Sequence, residues 1–166
     1  GQPMLSAFRA RQLTQAAQAI APRVRSVYAE FLHLAYLCAD VALSEAELST
    51  LSQLLVYGPT QAQRDCPGTQ RIVVPRPGTI SPWSSKASDI ARICGVHAVQ
   101  RLERALVYSL EGELSEAEVA ALDGLLHDRM TQAVFGEETQ LIQLFAEQTP
   151  QSFARFPLLS EGRAAL

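Results

Sequence analysis

From Pro75 to Ile90 the chain reads PRPGTISPWSSKASDI, sixteen residues that hold its only tryptophan, Trp83, and its only lysine, Lys86. Arg76 and Lys86 are cations, Thr79, Ser81 and Ser84 carry hydroxyls, and Asp89 carries a carboxylate. Two cations near the start of a helix could hold an anion, because the first turn leaves backbone N–H groups without partners. Trp83 could anchor a partner surface, since a large rigid ring buries much area when it docks. The plainer account is a loop running into a helix, with Trp83 as a hydrophobic staple and Ser85 as N-cap. Both accounts stay open, and these seven residues, Arg76, Thr79, Ser81, Trp83, Ser84, Lys86 and Asp89, are the candidate docking or active-site-edge set.

Elsewhere the residue types argue against chemistry. A serine nucleophile needs a tight elbow such as G-x-S-x-G with a base nearby, and none occurs. Glu45, Glu47, Glu116 and Glu118 fall in helix first turns, where carboxylates complement the helix dipole, so capping outweighs acid–base work. The PRPGTIS stretch has one glycine and lacks the repeated glycines of a phosphate loop. Cys94 and His97 could supply two zinc ligands but have no second pair, and His33 and His127 are far away in sequence, so no metal site is expected. His127, near a helix C-terminus, is accounted for by the dipole alone. Cys38, Cys66 and Cys94 are odd in number and widely spaced, which suits reduced thiols in a cytoplasm better than a disulfide framework.

The elements that must position these residues alternate between helix and strand. Residues 4–21 have a 3.6-residue apolar period, a cap at Ser6 and a stop at Pro22, and predict a helix. Residues 24–37 are aromatic and β-branched without Gly or Pro and predict a long strand. Ser44 and Glu47 form a capping box ahead of a helix with Leu48, Leu51, Leu54 and Leu55 on its apolar face, ended by Gly58 and Pro59. Residues 60–69 read as a loop and RIVVP as a short buried strand. The next helix is expected to be capped by Ser84 or Ser85, to turn Ala87, Ile90, Ala91 and Cys94 inward and to close at Gly95. Residues 98–111 predict a second long strand, with Leu102, Leu106, Tyr108 and Leu110 on one side and charge on the other. A second capping box, Ser115 and Glu118, opens a helix with Val119, Leu122, Leu125 and Leu126 facing inward.

The two capped helices repeat each other. LSEAELSTLSQLL at 43–55 and LSEAEVAALDGLL at 114–126 agree at eight of thirteen positions, at an offset of 71 residues. The order helix, long strand, capped helix also recurs, so the chain reads as a tandem pair of one α/β unit. RIVVP has no counterpart before Met4, and a first strand is expected to be missing. The fold class that follows is an α/β (α+β) sandwich, in which a pseudo-twofold pair of strand–helix–strand–helix units joins a mostly antiparallel sheet packed by helices. One domain is expected over 1–135, with half-units near 1–59 and 70–135. Residues 136–166 hold one short amphipathic turn and then read as the start of a linker.

Composition narrows the function classes. The 166 residues are 48% apolar and 19% charged with a net charge of −3, enough to bury a core and too balanced for a disordered chain. Fourteen basic and seventeen acidic residues are dispersed, leaving no stripe to follow a phosphate backbone, so nucleic acid is not an expected partner. No apolar run nears the roughly 20 residues of a membrane span, and no signal-peptide layout is present.

The stretch VVPRPGTISPWSSKASDIARICG closely resembles the N-terminal region of the large, single-chain phosphoribosylformylglycinamidine (FGAM) synthases of bacteria, with Ser88 where Thr is typical. LSAFR at 5–9, VYAEFLHLA at 27–35, LLVYGP at 54–59, RLERALVYSLE at 101–111 and LHDRMTQAVF at 126–135 agree in the same order. The resemblance implies a parent ligase that uses ATP, magnesium and glutamine to convert formylglycinamide ribonucleotide to FGAM in purine synthesis. It implies that the amidotransferase nucleophile, base and acid lie beyond residue 166, and that this region is similar to a dimer of the small accessory subunit of the multi-subunit enzyme. Its implied partners are the glutaminase and synthetase domains of the same parent chain, with no cofactor of its own. Family members also carry a short apolar strand ahead of the Pro3-Met4-Leu5 region. A small-molecule-binding regulatory α/β domain is the alternative, because paired units can form a ligand cleft.

Overall fold

A computed structural model describes residues 4–39, 41–56, 68–146 and 162. In chain order the elements are α1 (Ala7–Ile20), β1 (Ser26–Leu37), α2 (Glu45–Leu54), β2 (Thr69–Pro75), α3 (Pro82–Ile93), β3 (Val99–Glu111), α4 (Glu116–Leu126) and β4 (Gln132–Phe135), followed by a 3-10 helix, Glu138–Phe145. The strands form one sheet in the order β1-β3-β2-β4 with every neighbour antiparallel. Successive strand side chains point to opposite faces. Leu102, Tyr108 and Leu110 of β3 therefore share one face with Val27 and Ala29 of β1, and this face carries the four α-helices. Ala17, Leu122 and Leu126 of α1 and α4 pack over one half of it, Leu51 and Ala91 of α2 and α3 over the other. On the opposite face Ala105 and Val107 meet Ile72, Val74 and Phe135 under Leu141 and Leu144 of the 3-10 helix. The fold is thus mixed α/β, and the amphipathic turn expected after residue 136 supplies part of the core.

The strand register carries the tandem relation. β1 and β3 pair from Ser26↔Glu111 onward, and His33 lies directly opposite Arg104. An offset of 71 carries His33 onto Arg104, so a residue pairs with its own counterpart, as happens where a twofold axis crosses an antiparallel pair. The outer edge of β1, where a counterpart of β2 would lie, is met among the described residues by Met4, whose N–H donates to the Ala29 carbonyl at 2.8 Å.

The ends of the helices follow local chemistry. Ser6, Ser44 and Ser115 cap α1, α2 and α4 as their sequences predict, the last two in full capping boxes. At the end of α3, Gly95 adopts φ +87°, and the N–H groups of Gly95 and Val96 return to the Arg92 and Ala91 carbonyls at 3.1 and 2.9 Å. A left-handed residue is needed to turn those two N–H groups backward, and glycine takes that conformation without a Cβ clash.

Three expectations need correction. The cap of α3 is Ser81, with Pro82 at the first helical position, so neither Ser84 nor Ser85 serves. Ile90 is 51% exposed and Cys94 is exposed, while Ser84, Ala87 and Ala91 form the inner side. Leu48 is 54% exposed because α2, only ten residues long, touches the core through Leu51, with Leu55 packed just after it. The expected stop at Gly58 and Pro59 and nearly all of the 60–69 loop, like Cys66, lie outside the described residues.

Glu47 does more than its twin Glu118. Beyond accepting the Ser44 N–H at 3.0 Å, its carboxylate accepts the N–H groups of His97 and Ala98 at 2.9 and 3.0 Å and so ties α2 to the start of β3. These bonds, the Ser44 backbone bond first, lower its pKa from 4.5 to about 2. A carboxyl depressed in the folded state adds stability that is complete above its unfolded pKa and disappears as pH falls through the folded one. Denaturant unfolding followed from pH 6 to pH 2 will therefore show a flatter acid limb in Glu47→Gln than in the parent. An unchanged limb would show that these bonds do not form.

Candidate functional site

The 75–90 segment takes its position from a gap in the sheet. β2 pairs with β3 only from Thr69↔Leu110 to Val73↔Leu106 and then departs, leaving the edge of β3 at Leu102 without a strand. α3 fills the gap with serines. Ser84 Oγ donates to the Leu102 carbonyl at 2.5 Å, and the Leu102 N–H donates to Ser88 Oγ at 2.9 Å. Residues four apart lie on one helical face, so two hydroxyls one turn apart replace the bonds of a neighbouring strand. The Ser88 hydroxyl, which a threonine would retain, is therefore used.

One residue later in β3's alternation, Glu103 is fully buried. Ser81 Oγ accepts the Ser84 N–H at 3.0 Å as helix cap and donates to Glu103 Oε1 at 2.5 Å. Arg101 Nη2 donates to Glu103 Oε2 and to the Thr79 carbonyl, both at 2.8 Å. The Arg101 guanidinium also lies 5.3 Å from the centre of the Phe145 ring, which stacks on Tyr36. A buried ion pair joins the loop, the N-terminus of α3, β3 and the 3-10 helix. Before it, Pro77 and Gly78 make a tight turn closed by the Thr79 N–H to the Arg76 carbonyl at 3.1 Å, with Gly78 at φ +81°.

The seven candidate residues do not converge on one point. Thr79, Ser81 and Ser84 are tied to β3, and Arg76 joins the frame through its N–H, which donates to the Thr131 carbonyl at 2.9 Å. Trp83 and Lys86 line a groove of about 280 Å³ between α2 and α3, floored by Leu102. Asp89 faces a separate cleft of about 630 Å³ with Tyr36, Arg101 and Phe145, and pairs with Arg92 at 2.9 Å on the exposed side of α3. Trp83 also reaches the twofold axis: its ring lies 5.7 Å from His33, and the Arg104 guanidinium sits 5.1 Å from Trp83 and 4.6 Å from Phe31. Burial, and then the Arg104 charge, hold the His33 imidazole below its usual pKa.

Chemically this is a frame. The Ser81 and Ser84 hydroxyl protons are already given to Glu103 and to Leu102, so neither oxygen is prepared for attack. Among the described residues no three of His, Cys, Asp and Glu gather as metal ligands would, and no helix is long and apolar enough to cross a membrane.

Residues 30–145 match the family model for the formylglycinamide ribonucleotide amidotransferase N-terminal region, well over half of the chain. The chain belongs to that family. It is the N-terminal domain of FGAM synthase, a ligase of purine biosynthesis, and the match runs from within β1 to the last residue of the 3-10 helix. The FGAM synthase resemblance of the 75–90 segment thus falls on residues that the structure fastens to β3. The sequence does not single out Glu103 and Arg101, which hold it there, because charges on a strand are expected on its solvated side. The one signal was an apolar counterpart, Leu32, at the 71-residue offset.

Removing one member of a buried ion pair strands the other charge, which costs about 3–5 kcal/mol. Glu103→Ala will destabilise the domain by about that amount in denaturant unfolding, whereas Ser88→Thr will be near neutral because the hydroxyl is kept. Equal stability of Glu103→Ala and the parent would show that the pair is not formed.

Proposed function

We propose that this domain serves FGAM synthase as a structural and interaction module, bridging its glutaminase and synthetase parts without turning over substrate itself. The observation that carries this reading is the commitment of Thr79, Ser81, Ser84 and Ser88 to β3, Glu103 and Arg101. The segment most specific to the family is spent on rigidity, which is what a docking ledge requires. Glutamine hydrolysis and the ATP- and magnesium-dependent step belong, on this reading, to the rest of the parent chain, acting in the cytoplasm. The domain's share is to keep the two centres in register while ammonia passes.

The alternative of a small-molecule regulatory domain draws on the 630 Å³ cleft, whose size lies within the range of ligand pockets. Its polar lining, however, includes Arg101, already engaged by Glu103 and Thr79, and an Asp89–Arg92 pair that satisfies itself.

Two measurements separate the readings. The isolated domain, given ammonia, ATP, magnesium and formylglycinamide ribonucleotide, will form no FGAM above blank, and calorimetry with purine nucleotides or the substrate will show no binding heat. Turnover would overturn the bridging role, and saturable heat would favour the regulatory one. In full-length enzyme, Arg76→Ala will leave KM for formylglycinamide ribonucleotide unchanged, whereas a raised KM would place the segment at the edge of the synthetase site.

A further inference from the structure

The tandem units supply an internal control for what a helix surface on this fold must be. Set by their inner faces, Ala10, Leu13, Thr14 and Ala17 against Ser84, Ala87, Ser88 and Ala91, α1 has Gln12, Ala16 and Ala19 where α3 has Lys86, Ile90 and Ile93. All six are exposed, Ile90 by 51% and Ile93 by 84%. The repeat therefore does not demand large apolar residues there, and α3 carries two β-branched ones that lie outside the domain's own core. They lie one and two turns from Lys86, at the spacing by which a helix presents a single stripe.

This stripe continues into the α2–α3 groove, whose walls are Leu54 and Leu55 on one side and Ala87 and Ile90 on the other. The cation at its rim, Lys86, has no ion-pair or hydrogen-bond partner among the described residues, and the nearby Asp89 is taken by Arg92. An apolar trough with one uncompensated cation at its rim calls for an apolar ridge bearing one carboxylate.

We propose that the outer stripe of α3 and the α2–α3 groove seat an amphipathic helix from the remainder of the FGAM synthase chain, whose carboxylate faces Lys86. This deepens the bridging reading and rests on it. Tethering the partner to the same chain raises its effective concentration to the order of millimolar, so a seat this small suffices.

Zero-length carbodiimide coupling on the full-length enzyme, read by peptide mass spectrometry, tests the pairing directly. The expected product joins Lys86 to an Asp or Glu beyond residue 166, and its yield falls at least tenfold in Ile90→Ala/Ile93→Ala, which borrows α1's own residues and will melt with the parent. Lys86 should also resist acylation by a water-soluble amine reagent in the parent and gain reactivity in the double variant. Acylation of Lys86 at the rate of a free lysine, with domain carboxylates elsewhere coupled to downstream lysines, overturns this seat and leaves the bridging reading intact. Absence of any coupling between this domain and the downstream chain overturns both.

Discussion

The antiparallel pairing of β1 with β3 is the constraint on which the rest of the domain hangs. It joins the two halves through the longest strands, and its register places His33 against Arg104, each the other's counterpart in the repeat. Because the axis passes between them, the helices of each half settle to either side, α1 with α4 and α2 with α3. The strip of sheet along the axis is covered by long side chains. Phe31 of β1, Trp83 from the first turn of α3 and the Arg104 guanidinium provide that cover, with the cation within 5.1 Å of both ring centres. Such contacts contribute about 0.5–2 kcal/mol each, more where water is excluded. Trp83, the anchor residue of the sequence reading, thus has its first partner inside the domain.

What was legible in the residues was local. Ser6, Ser44 with Glu47, and Ser115 with Glu118 declare their helices because a cap bonds within three residues of itself. The 71-residue repeat is legible for the same reason and implies two units joined in one sheet, while the pairing of the long strands is seen only in the register. Ser81-Pro82 is the order of an N-cap and a first helical residue, but Pro75, Pro77 and Gly78 just before it give the stretch the look of a loop and hide that start. Ile90, expected on the inner face with Ala87, Ala91 and Cys94, is half exposed. The true inner side of α3 uses Ser84, Ala87, Ser88 and Ala91, small residues that let the helix lie close against the bare edge of β3. β4 is only four residues long, shorter than a period can show, and exists because β2 offers it Ile72 to Pro75. No pattern within β3 reveals that Glu103 is buried, since burial there depends on a loop and a 3-10 helix some twenty to forty residues away.

The repeat also shows which features the fold requires and which one half has added. At the 71-residue offset the counterpart of Glu103 is Leu32, a partly buried apolar residue in the core beneath the 3-10 helix. The counterpart of Arg101 is Glu30. The same architecture is therefore built once without this ion pair and once with it. Buried ion pairs add little net stability over well-packed apolar residues, because desolvation offsets most of the attraction. Their bonds are directional, however, and a leucine cannot select which carbonyl or hydroxyl lies above it. Glu103 and Arg101 select Ser81 and Thr79, and thereby fix the register of the 75–90 segment along β3 and the starting angle of α3. The outer stripe of α3 is presented at an orientation set by that start. A docking surface on one half of a symmetric frame needs such an added constraint, since the symmetric part of the structure cannot distinguish α3 from α1.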